Sequence, residues 1–202
     1  MNDITPYIVL SKPQLGENIG STARAMKNFG IEKLRLISPR DGWPNEAAYA
    51  ISAGADNVLN NIEVFDTLEK ATQDISLLLA TTARKRVVGT KSLDIFDAVE
   101  RSFEYFMNGG QVGFLFGPEQ SGLSNDDVVQ ADFTVSIPLN KKFSSLNLSQ
   151  AVLLICWEWN KIKMLKAGIE KNKMAVRRNR AGGGRGAFYF ILFQNRPKII
   201  PK

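Results

Sequence analysis

Five short apolar or β-branched runs punctuate the chain, at Tyr7–Leu10, Leu34–Ile37, Ile75–Ala80, Val112–Phe116 and Phe133–Ile137. Most read as continuous apolar stretches rather than as alternations, the pattern of strands buried on both faces. Helical spacing lies between them. Ile19, Thr22, Ala23, Met26 and Phe29 share one face, and Gly30 is placed to end that helix. Leu93, Phe96, Val99 and Phe103 mark a second face, and Ser124 with Asp127 predicts a capping box before Val128. A long helix is expected from about Leu148 to Lys166, stopped by Gly168. Strands alternating with helices predict an α/β fold with a mostly parallel sheet and helices on both faces. Ligands of such sheets bind beyond the C-terminal strand ends, so the loops there hold the candidate chemistry.

Charge divides the chain in two. Residues 1–160 carry 14 Lys/Arg against 19 Asp/Glu, whereas residues 161–202 carry 12 Lys/Arg against Glu170 alone. A basic tail of this kind suits a polyanion, and nucleic acid is the commonest one. The stretch from Lys171 to Gly186 reads as a flexible linker rich in Lys, Arg, Asn and Gly. The expected division is therefore a domain over 1–168 and a basic extension over 169–202.

Composition removes several chemistries. The chain has no histidine and one cysteine, Cys156, set in an apolar run. Imidazole bases, Ser-His-Asp and Cys-His triads, Cys/His zinc sites and disulfides are thereby excluded, and no metal site is predicted. Cys156 reads as a small core residue. No apolar stretch is long enough to span a membrane and the first residues lack a secretion-signal pattern, so a cytoplasmic location is expected. Neither a GxxxxGK[ST] phosphate loop nor a GxGxxG after the first strand is present, which argues against an NTPase or a dinucleotide-dependent oxidoreductase.

Three segments stand out. Glu17-Asn18-Ile19-Gly20-Ser21-Thr22-Ala23-Arg24 opens the first helix. Leu115-Phe116-Gly117-Pro118-Glu119-Gln120-Ser121-Gly122-Leu123 follows a strand. Ile137-Pro138-Leu139 and Phe143-Ser144-Ser145-Leu146-Asn147-Leu148-Ser149 lead into the long helix. Taken singly, each admits a structural role: Asn18, Ser145 or Asn147 as helix caps, Arg24 as a solvated charge, Gly117, Pro118 and Gly122 as turn residues.

Together, in this order and spacing, the segments resemble the three motifs of the SpoU/TrmH family in the SPOUT superfamily of RNA methyltransferases. The resemblance runs from about Pro6 to Lys163. Asn18–Arg24, Ser144–Asn147 and Thr81-Thr82-Ala83-Arg84 look most like the bacterial tRNA (cytidine/uridine) 2′-O-methyltransferase group that modifies the anticodon loop. The resemblance implies a C-terminal deep trefoil knot, a homodimer, and S-adenosylmethionine as cofactor. It implies cofactor contacts from Thr81, Thr82, Ala83, Gly117, Ile137 and Ser144–Leu146 (Ser144, Ser145 and Leu146). It gives the central catalytic role to Arg24; with no histidine in the chain, Asn18, Glu119, Ser145 and Asn147 are the further catalytic candidates. The substrate would be RNA, tRNA before rRNA, with no DNA or membrane partner. The alternative is a non-catalytic RNA-binding module that keeps the fold.

Ribose 2′-O-methylation needs a proton removed or an alkoxide stabilised. Holding an arginine neutral at pH 7 costs about 7–9 kcal/mol, given an ordinary pKa of roughly 12.5–13.8. Arg24 is therefore expected to act as a cation, clamping a phosphate and stabilising the alkoxide, rather than as a base. Asn18 would orient Arg24 or the hydroxyl, Ser145 and Asn147 would hold the hydroxyl, and Glu119 would position the loop or substrate. Arg84, Lys85, Arg86, Lys141 and Lys142 are expected to touch the RNA backbone.

Overall fold

The computed structural model describes residues 5–83, 91–140, 142–143 and 145–181, without the side chains of 169–181. The chain divides into two units, Met1–Met164 and Leu165–Lys202.

The first unit follows the order β1 (Tyr7–Ser11), α1 (Gly16–Lys27), β2 (Leu34–Ile37), α2 (Glu46–Ile51), α3 (Asp56–Asn60), β3 (Glu63–Phe65) and α4 (Leu68–Thr72). It continues with β4 (Leu77–Thr81), β5 (Ser92–Asp94), α5 (Ile95–Met107), β6 (Val112–Phe116), α6 (Asn125–Val129), β7 (Phe133–Ser136) and the start of α7 (Leu148–Ala181), whose residues from Leu165 belong to the second unit. The seven strands form one sheet in the order β3-β2-β1-β6-β4-β7-β5, and every pairing is parallel. The expected α/β architecture is therefore present. β6 is inserted between β1 and β4, and β7 between β4 and β5, so later strands fill gaps between earlier ones.

Both faces of the sheet are covered. On one, Ile8, Leu10, Leu36, Leu79 and Phe114 meet helices α1, α5 and α7 through Ile19, Met26, Phe103, Ile155 and Trp159. Trp159 packs against Phe103, Phe106 and Phe114 with ring centroids 5.4, 6.1 and 6.3 Å away. On the other face Val9, Ile37, Leu78, Ala80 and Leu115 meet α4 and α6. Alternate residues of the inner strands serve opposite faces, which is why β1, β4 and β6 are mostly apolar. α1 approaches α2 so closely that a Cβ on Gly20 would lie 2.1 Å from the Ala48 carbonyl oxygen.

Several local signals appear as the sequence predicts. Gly30 has φ 66° and the Ile31 N–H donates back to the Met26 carbonyl, ending α1. The Ser124–Asp127 capping box opens α6. Cys156 is fully buried, and burial pushes its thiol up to about 12.

Other elements differ from expectation. Leu93 belongs to β5, not to a helix; α5 starts at Ile95 behind Asp94, whose carboxylate accepts the Asp97 N–H at 2.9 Å. Gly168 does not stop α7, which continues to Ala181 through part of the stretch read as a linker. One glycine costs a helix only about 1 kcal/mol relative to alanine, and the Lys, Glu, Met, Ala and Arg residues that follow are good helix formers. Gly182–Gly186 lies outside the described residues. Among those that are described, no helix is long and apolar enough to cross a membrane.

Arg35, in the apolar run of β2, is buried at 4% exposure. Its guanidinium donates to the Ala71 carbonyl at 2.9 Å and grips the Asp74 carboxylate, with Glu63 at 3.3 Å and the Tyr7 ring 4.0 Å away. The hydrogen bond from Arg35 holds the Asp74 carboxyl below its ordinary value despite partial burial. This unit ties β2 to β3, α4 and β1.

Candidate active site

A cavity of about 330 Å³ opens where β4, β6 and β7 end, at the C-terminal edge of the sheet. Thr81, Thr82 and Ala83 line it from the end of β4, and Gly117 and Glu119 from the loop after β6. Ile137 contributes from beyond β7, and Ser145 and Leu146 from the segment leading into α7. The structure thus gathers seven of the eight residues expected to hold the cofactor; Ser144 lies outside the described residues. The wall also includes Phe116, Leu123, Leu139 and Ala151, which sequence reasoning did not assign. Leu123 and Leu139 close two of the segments already singled out, so the available signal was an apolar residue inside a loop after a strand.

The loop after β6 is tightly folded. A Cβ on Gly117 would lie 2.3 Å from the Leu123 amide nitrogen and 2.4 Å from the Gly122 carbonyl carbon. The Gly122 N–H donates to the Pro118 carbonyl at 2.8 Å, with Gly122 at φ 66°, a conformation suited to glycine. The Thr81 hydroxyl donates to the Leu115 carbonyl at 2.9 Å, so its hydrogen is committed to joining β4 to β6.

This loop delivers Glu119 to the start of α1. Its carboxylate accepts the Gln14 N–H at 2.9 Å, the Leu15 N–H at 3.3 Å and the Asn18 Nδ2 amide at 2.7 Å. α1 has no side-chain cap of its own, so a carboxylate from about a hundred residues away supplies the negative charge its N-terminus favours. The bonding then continues. Asn147 Nδ2 donates to Asn18 Oδ1 at 2.8 Å, and Asn147 Oδ1 accepts the Ser149 N–H at 2.9 Å and the Ser149 hydroxyl at 2.7 Å. A carboxylate can only accept, so it orients the Asn18 amide, which orients that of Asn147. One relay therefore joins the loop after β6, α1 and the start of α7. Asn18 is buried at 7% exposure, whereas Asn147 is exposed.

Arg24 stands apart. It is exposed on α1, and its side chain makes no hydrogen bond or ion pair among the described residues. Six residues beyond Asn18, at about 100° per residue, it lies roughly 120° around the helix from Asn18 and is not in the cavity wall. Asn18 therefore does not orient Arg24 within one chain, and its carbonyl oxygen is instead taken by Asn147. Lys142 is exposed, with its N–H donating to Asn140 Oδ1 at 3.0 Å. Arg84, Lys85, Arg86 and Lys141 lie outside the described residues.

Comparison with known proteins identifies the family. The model of the SpoU rRNA Methylase family matches residues 5–157. An uncharacterized tRNA/rRNA methyltransferase of Haemophilus influenzae is 36% identical over 84% of this chain and 68% of its own length. A tRNA (cytidine/uridine-2′-O-)-methyltransferase TrmJ of Sodalis glossinidius is 39% identical over 75% of this chain. The chain spans only 58% of that relative's length. The crystal structure of TrmJ from Z. mobilis ZM4 superposes with a TM-score of 0.72 at 48% identity, covering 78% of this chain and 69% of that one. The family expected from the three motifs is therefore matched over most of the chain, and the protein belongs to the SpoU rRNA Methylase family.

Proposed function

We propose that the chain is an S-adenosylmethionine-dependent RNA ribose 2′-O-methyltransferase of the cytoplasm, with a pyrimidine of the tRNA anticodon loop as its target. The observation that carries this reading is the cavity at the ends of β4, β6 and β7, abutted by the Glu119–Asn18–Asn147 relay, in a chain of the SpoU family. The similarity to relatives named as tRNA 2′-O-methyltransferases supports the substrate class.

The cavity suits the cofactor. Its volume falls within the ~300–1,000 Å³ of small-molecule sites. Val135, Ile137 and Leu146 offer an apolar seat, and Gly117 keeps a backbone approach open. With its hydrogen donated to Leu115, the Thr81 hydroxyl can only accept from a cofactor there. S-adenosylmethionine supplies an electrophilic methyl group. The chain's own residues prepare the nucleophile: Ser145 at the cavity and the exposed Asn147 amide hold the ribose hydroxyl, and Asn18 and Glu119 fix the direction of that amide. Asn18 and Glu119 are thus positioning residues. Arg24 clamps a neighbouring phosphate and stabilises the developing alkoxide as a cation.

The active unit is a homodimer, in which Arg24 of one subunit serves the other's cavity. What supports pairing is Arg24 lying outside its own cavity wall, together with the exposed Leu153 and Trp157 on α7. The interleaved strand order supports the deep trefoil knot. The basic segment 169–202 is a separate RNA-contacting extension, and Arg84, Lys85, Arg86, Lys141 and Lys142 add backbone contacts. Labelled methyl transfer from S-adenosylmethionine to unmodified tRNA and rRNA pools tests the reading. Label in tRNA is expected; label only in rRNA would redirect the substrate, and none in either would leave a binding module.

A further inference from the structure

Outside the cavity, two adjoining loops at the ends of β1 and β2 carry cationic side chains that the site described above does not use. Lys12 follows the last residue of β1 with φ 48°, and Ser38 follows the last residue of β2 with φ 42°. The left-handed region is costly for residues with a Cβ and free for glycine. The loops are pinned by backbone bonds: Lys12 N–H to the Ile37 carbonyl (2.8 Å), Ser38 N–H to Phe65 (2.9 Å) and Arg40 N–H to Pro13 (3.0 Å). Lys12 is exposed, and its side chain makes no hydrogen bond or ion pair among the described residues. Glycine would fit that backbone at least as well, so a Lys12→Gly change removes the ammonium without straining the loop.

Arg40 is its neighbour across the loops. Its Nε and one Nη2 hydrogen go to Asp41 at 2.8 and 3.1 Å, which leaves three of its five N–H donors unused. The hydrogen bond to Asp41 is the main influence raising the Arg40 guanidinium above its ordinary value, and the Glu119 carboxylate contributes in the same direction, so this loop lies within the field of the candidate site. Of the acidic groups around these loops, Asp41 is engaged with Arg40 and Glu119 with three N–H groups, while Glu17 in the first turn of α1 is exposed. The Gln14 N–H that binds Glu119 is only two residues beyond Lys12.

We propose that Lys12 and Arg40 form a phosphate-binding edge that holds the RNA backbone on the β1–β2 side of the candidate site. The inference rests on the RNA reading above. It adds two cationic residues that the sequence reading did not assign to RNA contact. Contacts of this kind position a strand without reading its bases.

The test uses the full chain, a tRNA transcript, and Lys12→Gly, Arg40→Ala and the double variant. Dissociation constants are measured from 50 to 200 mM salt, alongside S-adenosylmethionine affinity and melting temperature. Each phosphate contact contributes about 0.7–0.9 to the log–log salt slope, so over this range each single variant reduces the salt-induced loss of affinity by about 3-fold and the double variant by about 10-fold. Cofactor affinity stays at the wild-type value, and Lys12→Gly melts no lower than wild type. A double variant with the wild-type salt slope overturns the inference and leaves the methyltransferase reading intact. A lower melting temperature for Lys12→Gly also overturns it, by giving the side chain a structural role. A wild-type chain that binds no tRNA removes the RNA reading and this inference together.

Discussion

Replacing Glu119 by glutamine keeps the side chain's shape but removes its ability to accept hydrogen bonds at both ends. In the native site its two oxygens serve three N–H groups, those of Gln14, Leu15 and the Asn18 amide. Glutamine offers one oxygen and one donor, so at least one N–H group must face another donor. Losing a hydrogen bond to a charged acceptor costs roughly 1.5–3 kcal/mol, and Glu119 is only half-buried, so about 2 kcal/mol is expected. In a chain of this size 1 kcal/mol moves the melting temperature by about 2–4 °C, which gives a fall of about 4–8 °C for Glu119→Gln. The relay adds a second consequence. If the new amide turns its nitrogen toward Asn18, that amide must flip, and the Asn147 amide loses its partner. Methyl transfer to RNA should therefore fall more than cofactor affinity does. A double-mutant cycle with Asn18→Ala separates the relay from simple loss of a cap, because coupled residues give a non-additive term of about 0.5–3 kcal/mol. Additive losses, or a Glu119→Gln variant that melts within about 1 °C of wild type, would refute this reasoning.

Three further outcomes follow from the geometry. Gly117→Ala forces a Cβ against the Leu123 and Gly122 backbone, so S-adenosylmethionine affinity measured by calorimetry should drop by at least tenfold, about 1.4 kcal/mol. Asp74 is held below its ordinary value of 3.8 by its hydrogen bond from Arg35. A depressed carboxyl contributes stability above its unfolded value that is lost as pH falls through 3.8 and below. Melting temperatures from pH 6 to pH 3 should therefore fall more steeply for wild type than for Asp74→Asn. Cys156, buried with its thiol pushed up to about 12, should resist thiol reagents at pH 8 until the chain is unfolded.

Much of the architecture was legible because β1, β4 and β6 are buried on both faces and therefore mostly apolar. β3 and β5 were not, since edge strands of three residues with exposed Glu63, Val64, Ser92 and Asp94 carry no such run. The strand order was also out of reach. Consecutive strands usually lie side by side, and nothing local in Val112–Phe116 says that it slots between β1 and β4. Gly168 misled because its cost in a helix is small against a long run of favourable neighbours. At the site, residue types were readable but contacts were not: Asn18 and Glu119 are 101 residues apart, Asn18 and Asn147 are 129 apart. Arg35 passed unnoticed although one charged residue inside an apolar strand is itself a signal of a buried ion pair.

Under the proposed function, this chain methylates a ribose hydroxyl with Arg24 acting as a cation beside it. The most direct measurement is to map the label transferred from S-adenosylmethionine to unmodified tRNA by wild type and by Arg24→Ala. The account predicts an alkali-resistant label at one ribose of the anticodon loop, lost in Arg24→Ala while cofactor affinity is kept. Label on a base, or a ribose label that persists in Arg24→Ala, would contradict it.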